Sequence, residues 1–370
     1  MLLVLGRHER RPYSWHAIGW IGVDLFFVLS GFLISGLLFA EYKATGNIGW
    51  KRFFIRRGFK IYPAYYALVA ATLFLQIVQH QGIQWPLYFR EFFMIQNYFD
   101  LHIWPHTWSL AVEEHFYILL PLLLLLLSRV WPGRADSHPF RMIPYVCLLI
   151  GVLCPLLRYH AASSLADPDH DWVRVMFRSH LRFDSLFFGV FLGYLHHFQL
   201  PALTRVMALL PVRVFLLFAS LLLIALSLFF PLSSLFLLSF GLTALYLGFG
   251  GILLLSLYGW RTEPSGASSR FPNLGIAALL AYIGKYSYSI YLWHSMVGQH
   301  EQGSLKLLWP GISGLWLFGA SIVLQLAVGI ALSLAIEWPM LNLRDRWFPS
   351  LQPARPSQPS VAPGTVSPAT

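Results

Sequence analysis

Repeated apolar runs of membrane-spanning length constrain this 370-residue chain more than any other feature. A helix needs about 20 consecutive apolar residues to cross the bilayer core, and a sliding window of about that length finds nine such runs. They cover 20–40, 62–79, 108–128, 143–160, 181–198, 212–230, 235–257, 276–298 and 311–336. Since each span must satisfy its own backbone hydrogen bonds, the runs predict an all-α, polytopic transmembrane helical bundle.

Composition and charge distribution exclude a soluble fold and a nucleic-acid partner. Only 11% of the residues are charged, whereas a soluble chain carries about a quarter. The net charge of +10 lies in short loops between the apolar runs, as the positive-inside rule requires. Cys147 and Cys154 share one apolar run, so they are interpreted as small apolar side chains and not as a disulfide or metal site.

Loop charge also predicts the orientation of the bundle. The segment 41–61 holds six Lys and Arg side chains against Glu41, which places it in the cytoplasm. Alternating spans then bring the other basic loops to the same side and the acidic loop 161–180 to the outside. These other basic side chains are Arg129, Arg134, Arg141, Arg205, Arg213, Arg261, Arg270, Arg344 and Arg346.

Three segments lie outside the complete spans. The aromatic but polar stretch 87–104 is interpreted as re-entrant or interfacial. Residues 349–370 are rich in Pro, Ser and Ala and predict a disordered cytoplasmic tail, which leaves 1–348 as the transmembrane domain. The first residues, MLLVLGRH, are too short for a signal peptide and are interpreted as the last two turns of a helix.

Polar residues at or inside the spans are the first candidates for function, because such groups are costly in a membrane. His8 lies at the predicted outer boundary, where it is either an ordinary interfacial residue or a proton acceptor. Asp24 lies in an apolar helix and either pairs with a base or has a functional role. Ser30 follows on the same helix, where a small residue is also typical of close helix packing.

A basic cluster precedes the second span. Arg56, Arg57 and Lys60 lie within about one helical turn of one another. They either anchor the helix on the positive side of the membrane or form an anion site suited to phosphates.

The run from Thr107 to Tyr117 is the most informative, because it puts two carboxylates and an imidazole into the first turns of a long apolar helix. Interaction with the helix dipole explains Glu113 and Glu114 only in part. It does not explain the nearby Trp108 and Ser109. Arg182 and Asp184 open a later span, where their charges either neutralise each other or pair with neighbours.

Together these stretches resemble the acyltransferase 3 family of bacterial membrane acyltransferases. The matching pieces occur in the family's order and span nearly the whole chain, so the ordered set is specific although each piece alone is weak. They are GVDLFFVLSGFLIS (22–35), RRGFKIYP (56–63), TWSLAVEEHFYILLP (107–121), LRFDSLFFG (181–189), IGKYSYSIYLWH (283–294) and EWP (337–339). The family has ten helices, which implies nine complete spans plus a truncated first helix here.

The resemblance also implies a donor, an acceptor and residue roles. The donor is acyl-CoA, most often acetyl-CoA, from the cytoplasm, and the acceptor is a hydroxyl of a cell-surface glycan or a lipid-linked saccharide. His8 aligns with the family's catalytic histidine and is expected to act as general base, while Glu113 orients it. Arg57 and Lys60, with Arg56 beside them, are expected to hold the phosphates of CoA.

The expected substrate pocket completes this interpretation. Its residues are Asp24, Ser30, Trp108, Ser109, Arg182 and Asp184. No zinc-like ligand spacing is present, so no metal is expected. The resemblance implies the bacterial cytoplasmic membrane as the location, with membrane lipids around the bundle.

Two departures from the family keep other functions open. The arginine that the family carries earlier in its first helix aligns before Met1. Lys60 stands where the family usually has arginine, which keeps the charge but loses bidentate recognition. The alternatives are a transporter or flippase for a lipid-linked saccharide, and an inactive remnant that lacks part of helix one.

Overall fold

The computed structural model describes residues 1–8, 13–131, 138–259, 275–311 and 314–349. Within them every regular element is a helix, which confirms the predicted all-α fold. In these ranges seven helices are long and apolar enough to cross a membrane, and an eighth span results if a pair bent by 98° counts as one.

Sixteen α-helices follow one another along the described chain. The first eight are α1 (Leu2–His8), α2 (Tyr13–Ile18), α3 (Gly22–Thr45), α4 (Trp50–Val78), α5 (Trp85–Phe92), α6 (Trp108–Val130), α7 (Ile143–Ser163) and α8 (Pro168–Phe177). The others are α9 (Phe183–Phe198), α10 (Leu200–Ala208), α11 (Leu210–Phe229), α12 (Leu242–Tyr258), α13 (Gly275–Lys285), α14 (Ser287–Leu308), α15 (Gly314–Leu332) and α16 (Trp338–Trp347).

Every predicted span overlaps one or two of these helices. In order, the nine fall on α3, α4, α6, α7, α9, α11, α12, α13 with α14, and α15. The eight residues of α5 extend over only about 12 Å, so the stretch 87–104 forms no transmembrane helix, in agreement with its interpretation. Residues 350–370, which make up nearly all of the predicted tail, lie outside the described residues.

Helices α3 and α9 approach each other closely through glycines. A Cβ atom on Gly31 would overlap the backbone of Leu186, and one on Gly189 would overlap the carbonyl of Val28. Small residues let transmembrane helices approach to backbone contact, where packing and interhelical hydrogen bonds replace the hydrophobic effect. This contact fixes the position of the polar residues that the two helices carry.

An aromatic and aliphatic core lies between α3, α4, α6 and α9. It includes the fully buried side chains of Phe27, Tyr65, Phe116 and Phe187. Large apolar side chains on α7 and α11, such as Leu148 and Phe215, are two-thirds or more exposed. These exposed surfaces are what a bundle in contact with lipid requires.

The two ends of the bundle differ, and α4 connects them. Its first turns carry the basic cluster, and an ion pair of 3.2 Å between Arg56 and Asp345 ties α4 to α16 there; this is the basic end. The other end of α4 and the turn to α5 carry four glutamines; this is the glutamine end. An ion pair of 2.9 Å between Arg174 and Asp100 lies at the glutamine end.

Candidate active site

A cavity of about 330 Å³ opens at the basic end. We call it the basic cavity. Its lining consists of Leu37, Leu38, Glu41, Arg52, Phe53, Arg56, Arg57, Lys60, Leu341 and Arg344. Arg56 and Lys60 lie on one face of α4, because residues four apart on a helix are neighbours. All three predicted donor-binding cations therefore line one cavity, which is an electropositive site for anions.

The three cations differ in their partners. Lys60 forms an ion pair with the buried Glu337, whose carboxylate also accepts hydrogen bonds from Ser289 at 2.5 Å and Ser333 at 2.8 Å. Arg56 pairs with Asp345. The Arg57 guanidinium instead lies 5.1 Å from the ring centre of Tyr117. Among the three, Arg57 is the one without an ion-pair partner in the described part of the chain.

A larger cavity of about 770 Å³ begins where the basic cavity ends. This central cavity lies between α1, α3, α13 and α14, and most of its wall is aliphatic. Its polar lining consists of Ser30, Arg57, Ser109, Ser287, Tyr117 and Tyr291. Arg57 lines both cavities, so the two are adjacent along the bundle.

Two carboxylates on α6 lie beside the central cavity. Glu113 is buried beside Ser30 and Tyr117, whose hydroxyls are 2.8 Å apart. Glu114 accepts a hydrogen bond from Tyr62 at 3.1 Å. One oxygen of each carboxylate has no hydrogen-bond partner among the described residues. Buried polar atoms in this condition are expensive, and at a cavity they are typical of a site that contacts substrate.

The start of α6 forms the far wall of the central cavity. The Ser109 hydroxyl lies 2.5 Å from the Tyr291 hydroxyl, which also donates to the backbone carbonyl of His106 at 2.7 Å. His106 is 3% exposed, and its ring lies 4.8 Å from that of His294. The 107–117 run and the 283–294 run therefore meet at this wall.

A third, smaller cavity of about 180 Å³ lies beyond Tyr291. This upper cavity is lined by Arg7 from α1, by His106 and by Trp108, whose ring stacks on Phe177 with centres 4.6 Å apart. Tyr291 lines the central and the upper cavity alike. The three cavities thus follow one another from the basic end through the bundle.

His8 is the last residue of α1, directly after Arg7 in the wall of the upper cavity. The Arg7 guanidinium donates to the carbonyl of His16 at 3.1 Å, which holds α1 against α2. The side chain of His8 lies outside the described part of the chain, so its assignment as general base stays a prediction.

Asp24, Arg182 and Asp184 form buried ion pairs and do not line the three cavities. Arg182 pairs with Asp24 at 2.6 Å, and Asp184 pairs at 2.8 Å with Arg158. Of the two sequence alternatives for Arg182 and Asp184, pairing with neighbours is therefore the one observed. The Arg182 guanidinium lies 5.9 Å from the ring centre of Trp108, so the pairs support the cavity wall from behind.

Sequence reasoning missed two residues of this region. Arg158 is fully buried and donates to the carbonyl of Leu181 at 2.7 Å and the hydroxyl of Thr243 at 2.7 Å. The signal was present, since an arginine inside a predicted span is itself unusual. His106 carried no such signal, because it precedes the span and becomes part of the site only through α14.

No group of three or more His, Cys, Asp or Glu side chains that could hold a metal ion occurs among the described residues. A transmembrane bundle with a basic cavity and two buried carboxylates, each with one oxygen unpaired among the described residues, is typical of a membrane protein with a polar site inside the membrane. The family model described as an acyltransferase domain matches residues 3–338. The chain belongs to this acyltransferase 3 family, as the ordered motifs predicted.

Three relatives show how far the similarity extends. A Staphylococcus aureus protein named "Putative O-acetyltransferase" is 33% identical over 77% of this chain and 47% of its own length. The peptidoglycan O-acetyltransferase OatA of Listeria monocytogenes is 28% identical over 81% of this chain and 48% of its own. Bacillus subtilis YrhL, named "Putative peptidoglycan O-acetyltransferase", is 32% identical over 48% of this chain and 29% of its own. The chain thus spans about half the length of the first of these relatives, and the comparison with solved structures found no match.

Proposed function

We propose that this chain transfers an acyl group, acetyl in the simplest case, from acyl-CoA to a hydroxyl of a cell-surface or lipid-linked glycan. The observation that carries the proposal is the series of three cavities through the bundle. Arg57 joins the basic cavity to the central one, and Tyr291 joins the central cavity to the upper one. A donor from the cytoplasm and an acceptor outside it need such a path.

The orientation follows from charge. The basic end holds most of the cationic loop 41–61, and the positive-inside rule assigns such a loop to the cytoplasm. We assign the membrane to the bacterial cytoplasmic membrane, in keeping with the bacterial relatives. The acyl-CoA donor then enters through the basic cavity.

The parts of the acyl-CoA donor match the basic cavity and the central cavity. The phosphates of CoA suit Arg57 and its neighbours, because guanidinium groups bind phosphate oxygens in pairs. The pantetheine arm and the acyl group suit the central cavity, whose wall is mostly aliphatic with a few hydroxyls. Along α6, Ser109 lies eight residues before Tyr117, which corresponds to about 12 Å of helix. An extended donor lying along this wall brings its thioester towards the upper cavity.

Transfer then needs a base at the far end of the donor. His8 is assigned to take the proton of the acceptor hydroxyl while the oxygen attacks the thioester carbonyl. The carbon–sulfur bond breaks, and the CoA thiolate leaves and receives the proton from the imidazolium. The predicted role of Glu113 is to orient or polarise His8, from a buried position beside Ser30 and Tyr117.

The acceptor class follows from the relatives. OatA is by name an acetyltransferase of peptidoglycan, which is a glycan outside the cytoplasmic membrane. We extend to this chain only the class, a glycan hydroxyl, presented from the side opposite the basic end.

Reconstitution tests the proposal. The full chain in liposomes receives acetyl-CoA and a glycan oligosaccharide, and both free CoA thiol and acetyl ester on the glycan are measured. We expect both products in equal amounts. Movement of glycan across the liposome membrane without release of thiol would instead support the transporter, and absence of all three would support the inactive remnant.

A further inference from the structure

A second polar cavity, outside the series described above, opens at the glutamine end and has a volume of about 590 Å³. We call it the glutamine cavity. Side-chain amides converge on it from the end of α4, the turn to α5 and the outer part of α14. They belong to Gln76, Gln79, Gln81, Gln84 and Gln299. Amides at this density present both hydrogen-bond donors and acceptors to a ligand.

The cavity is polar and uncharged. No Lys, Arg, Asp or Glu occurs among the described residues that line it. Its imidazole, that of His102, has its pKa lowered mainly by burial, so it is neutral at pH 7. An anionic or cationic ligand would meet no charged side chain among the described lining residues, and moving an unpaired charge into such a site is unfavourable. A ligand rich in hydroxyls or amides meets no such cost.

Glutamine amides suit a neutral sugar because each one both donates and accepts hydrogen bonds. Sugar hydroxyls and N-acetyl groups do the same. Tyr88 and Trp104 add aromatic surface to the cavity. The Tyr88 hydroxyl donates to Gln76 at 2.8 Å, and the Trp104 indole donates to Thr72 at 2.8 Å, so both rings have fixed orientations. Rigid aromatic side chains with a few placed polar groups are typical of small-molecule sites.

The glutamine cavity lies next to the proposed reaction site. The ring of Trp104 lies 6.0 Å from that of His106, which lines the upper cavity. Gln299 follows Tyr291 on α14 by eight residues, or about 12 Å. A ligand that occupies this cavity and also reaches the upper cavity must therefore be extended, as an oligosaccharide is.

We infer that the glutamine cavity is a binding subsite for an uncharged glycan, which presents one hydroxyl of the bound chain to the upper cavity. The place of this subsite in a reaction rests on the proposed acyl transfer. The affinity of the cavity for sugar does not depend on acyl transfer, so an experiment can disprove either proposal without disproving the other.

Binding without donor is the direct test. Isothermal titration calorimetry on the full chain in lipid nanodiscs uses uncharged tetramers of N-acetylglucosamine and of glucose, with tetragalacturonate as the charged probe. We expect at least one uncharged tetramer to bind, and to bind more tightly than tetragalacturonate. The double variant Gln84→Leu with Gln299→Leu removes two exposed amides and should weaken that binding about tenfold.

The matched control is Gln199→Leu, an exposed glutamine at the other end of the bundle, after α9. It should bind the tetramer as the parent does. Equal affinity of the double variant and the parent would overturn the subsite, as would a parent that binds neither uncharged tetramer or prefers tetragalacturonate.

The acetyl-transfer assay separates this proposal from the proposed function. Donor turnover with an unchanged acceptor KM in the double variant would disprove the subsite and leave acyl transfer standing. Tetramer binding that the double variant loses, in a chain that releases no CoA thiol, would disprove acyl transfer and leave the subsite standing.

Discussion

The basic cavity and the glutamine cavity lie at opposite ends of the same helix and have opposite chemistry. The first is lined by four arginines and a lysine with a single carboxylate, Glu41. The second is lined by amides and aromatic rings, with no charged side chain among its described residues. Both are polar openings of a bundle in contact with lipid. What distinguishes them is that the polar groups are charged in the first and uncharged in the second.

Helix α4 shows why this difference matters. From Arg57 to Gln76 there are 19 residues, or about 28 Å of helix, which is close to the thickness of the bilayer core. A single helix therefore presents guanidinium groups to one side of the membrane and amides to the other. This arrangement fits two different substrates, one anionic and one neutral, that meet inside the bundle.

The largest effect is expected from His8→Ala, which tests whether acyl transfer takes place between the basic cavity and the glutamine cavity. General-base catalysis contributes about 10²–10⁴ in rate, so acetyl transfer should fall by about that factor. Affinity for donor and for glycan should not change, because neither end is altered. Steady-state transfer, together with separate binding titrations, measures this. Full activity in the variant would remove His8 from the mechanism.

The next largest effect is expected on stability, from breaking the buried ion pair between Arg158 and Asp184. Arg158→Met leaves Asp184 buried without its ion-pair partner, and breaking such a pair costs about 3–5 kcal/mol. Thermal unfolding in detergent should begin at a clearly lower temperature, and both binding activities should fall together. Arg141→Met is the control, since Arg141 is an exposed arginine whose loss should leave the midpoint unchanged. An unaltered midpoint in Arg158→Met would contradict a structural role.

Arg158 also illustrates that the sequence predicts the helices but not which charged residues pair between them. Hydropathy located helices at every predicted span, because each helix in lipid satisfies its own backbone hydrogen bonds, although only seven helices of the described residues, or eight spans with the bent pair, are long and apolar enough to cross a membrane. The pairing of Asp24 with Arg182, and of Asp184 with Arg158, depends instead on the approach of α3, α7 and α9. Sequence patterns identified the charged residues as unusual and left their partners open, because partner choice is decided by packing.

The site was predicted in the same uneven way. Ser30 and Ser109 were expected in the substrate pocket and Glu113 beside the catalytic histidine, and the structure brings the two serines to the wall of one cavity and Glu113 directly beside it. Asp24, Arg182 and Asp184 were expected in the same pocket and instead form ion pairs behind it.

The sequence pattern did not predict the glutamines of the turn after α4 as site residues, because polar residues are common in loops. They line a cavity whose wall α14 completes with Met296 and Gln299. A single sequence does not reveal which distant segments come together to form a site.

Arg57→Ala sharpens the comparison at the donor end. The guanidinium is the least engaged of the three cations, so its removal should raise the apparent KM for acetyl-CoA by about 10–100-fold, since a hydrogen bond to a charged group contributes about 1.5–3 kcal/mol. Glycan affinity should stay the same. Arg129→Ala, an exposed arginine outside the basic cavity, is the matched control. A loss of glycan affinity in Arg57→Ala would show that the two ends are not independent.

The smallest effect should come from Lys60→Arg, which asks whether the basic cavity uses Lys60 as a ligand or as an anchor. Lys60 forms an ion pair with the buried Glu337, whose position Ser289 and Ser333 fix by hydrogen bonds, so the ammonium group already has a partner inside the protein. An arginine keeps the charge and adds a bidentate donor. If Lys60 is an anchor, the donor KM should change less than about threefold. A decrease of tenfold or more would mean that phosphate is contacted at this position, and that the lysine limits donor affinity in this chain.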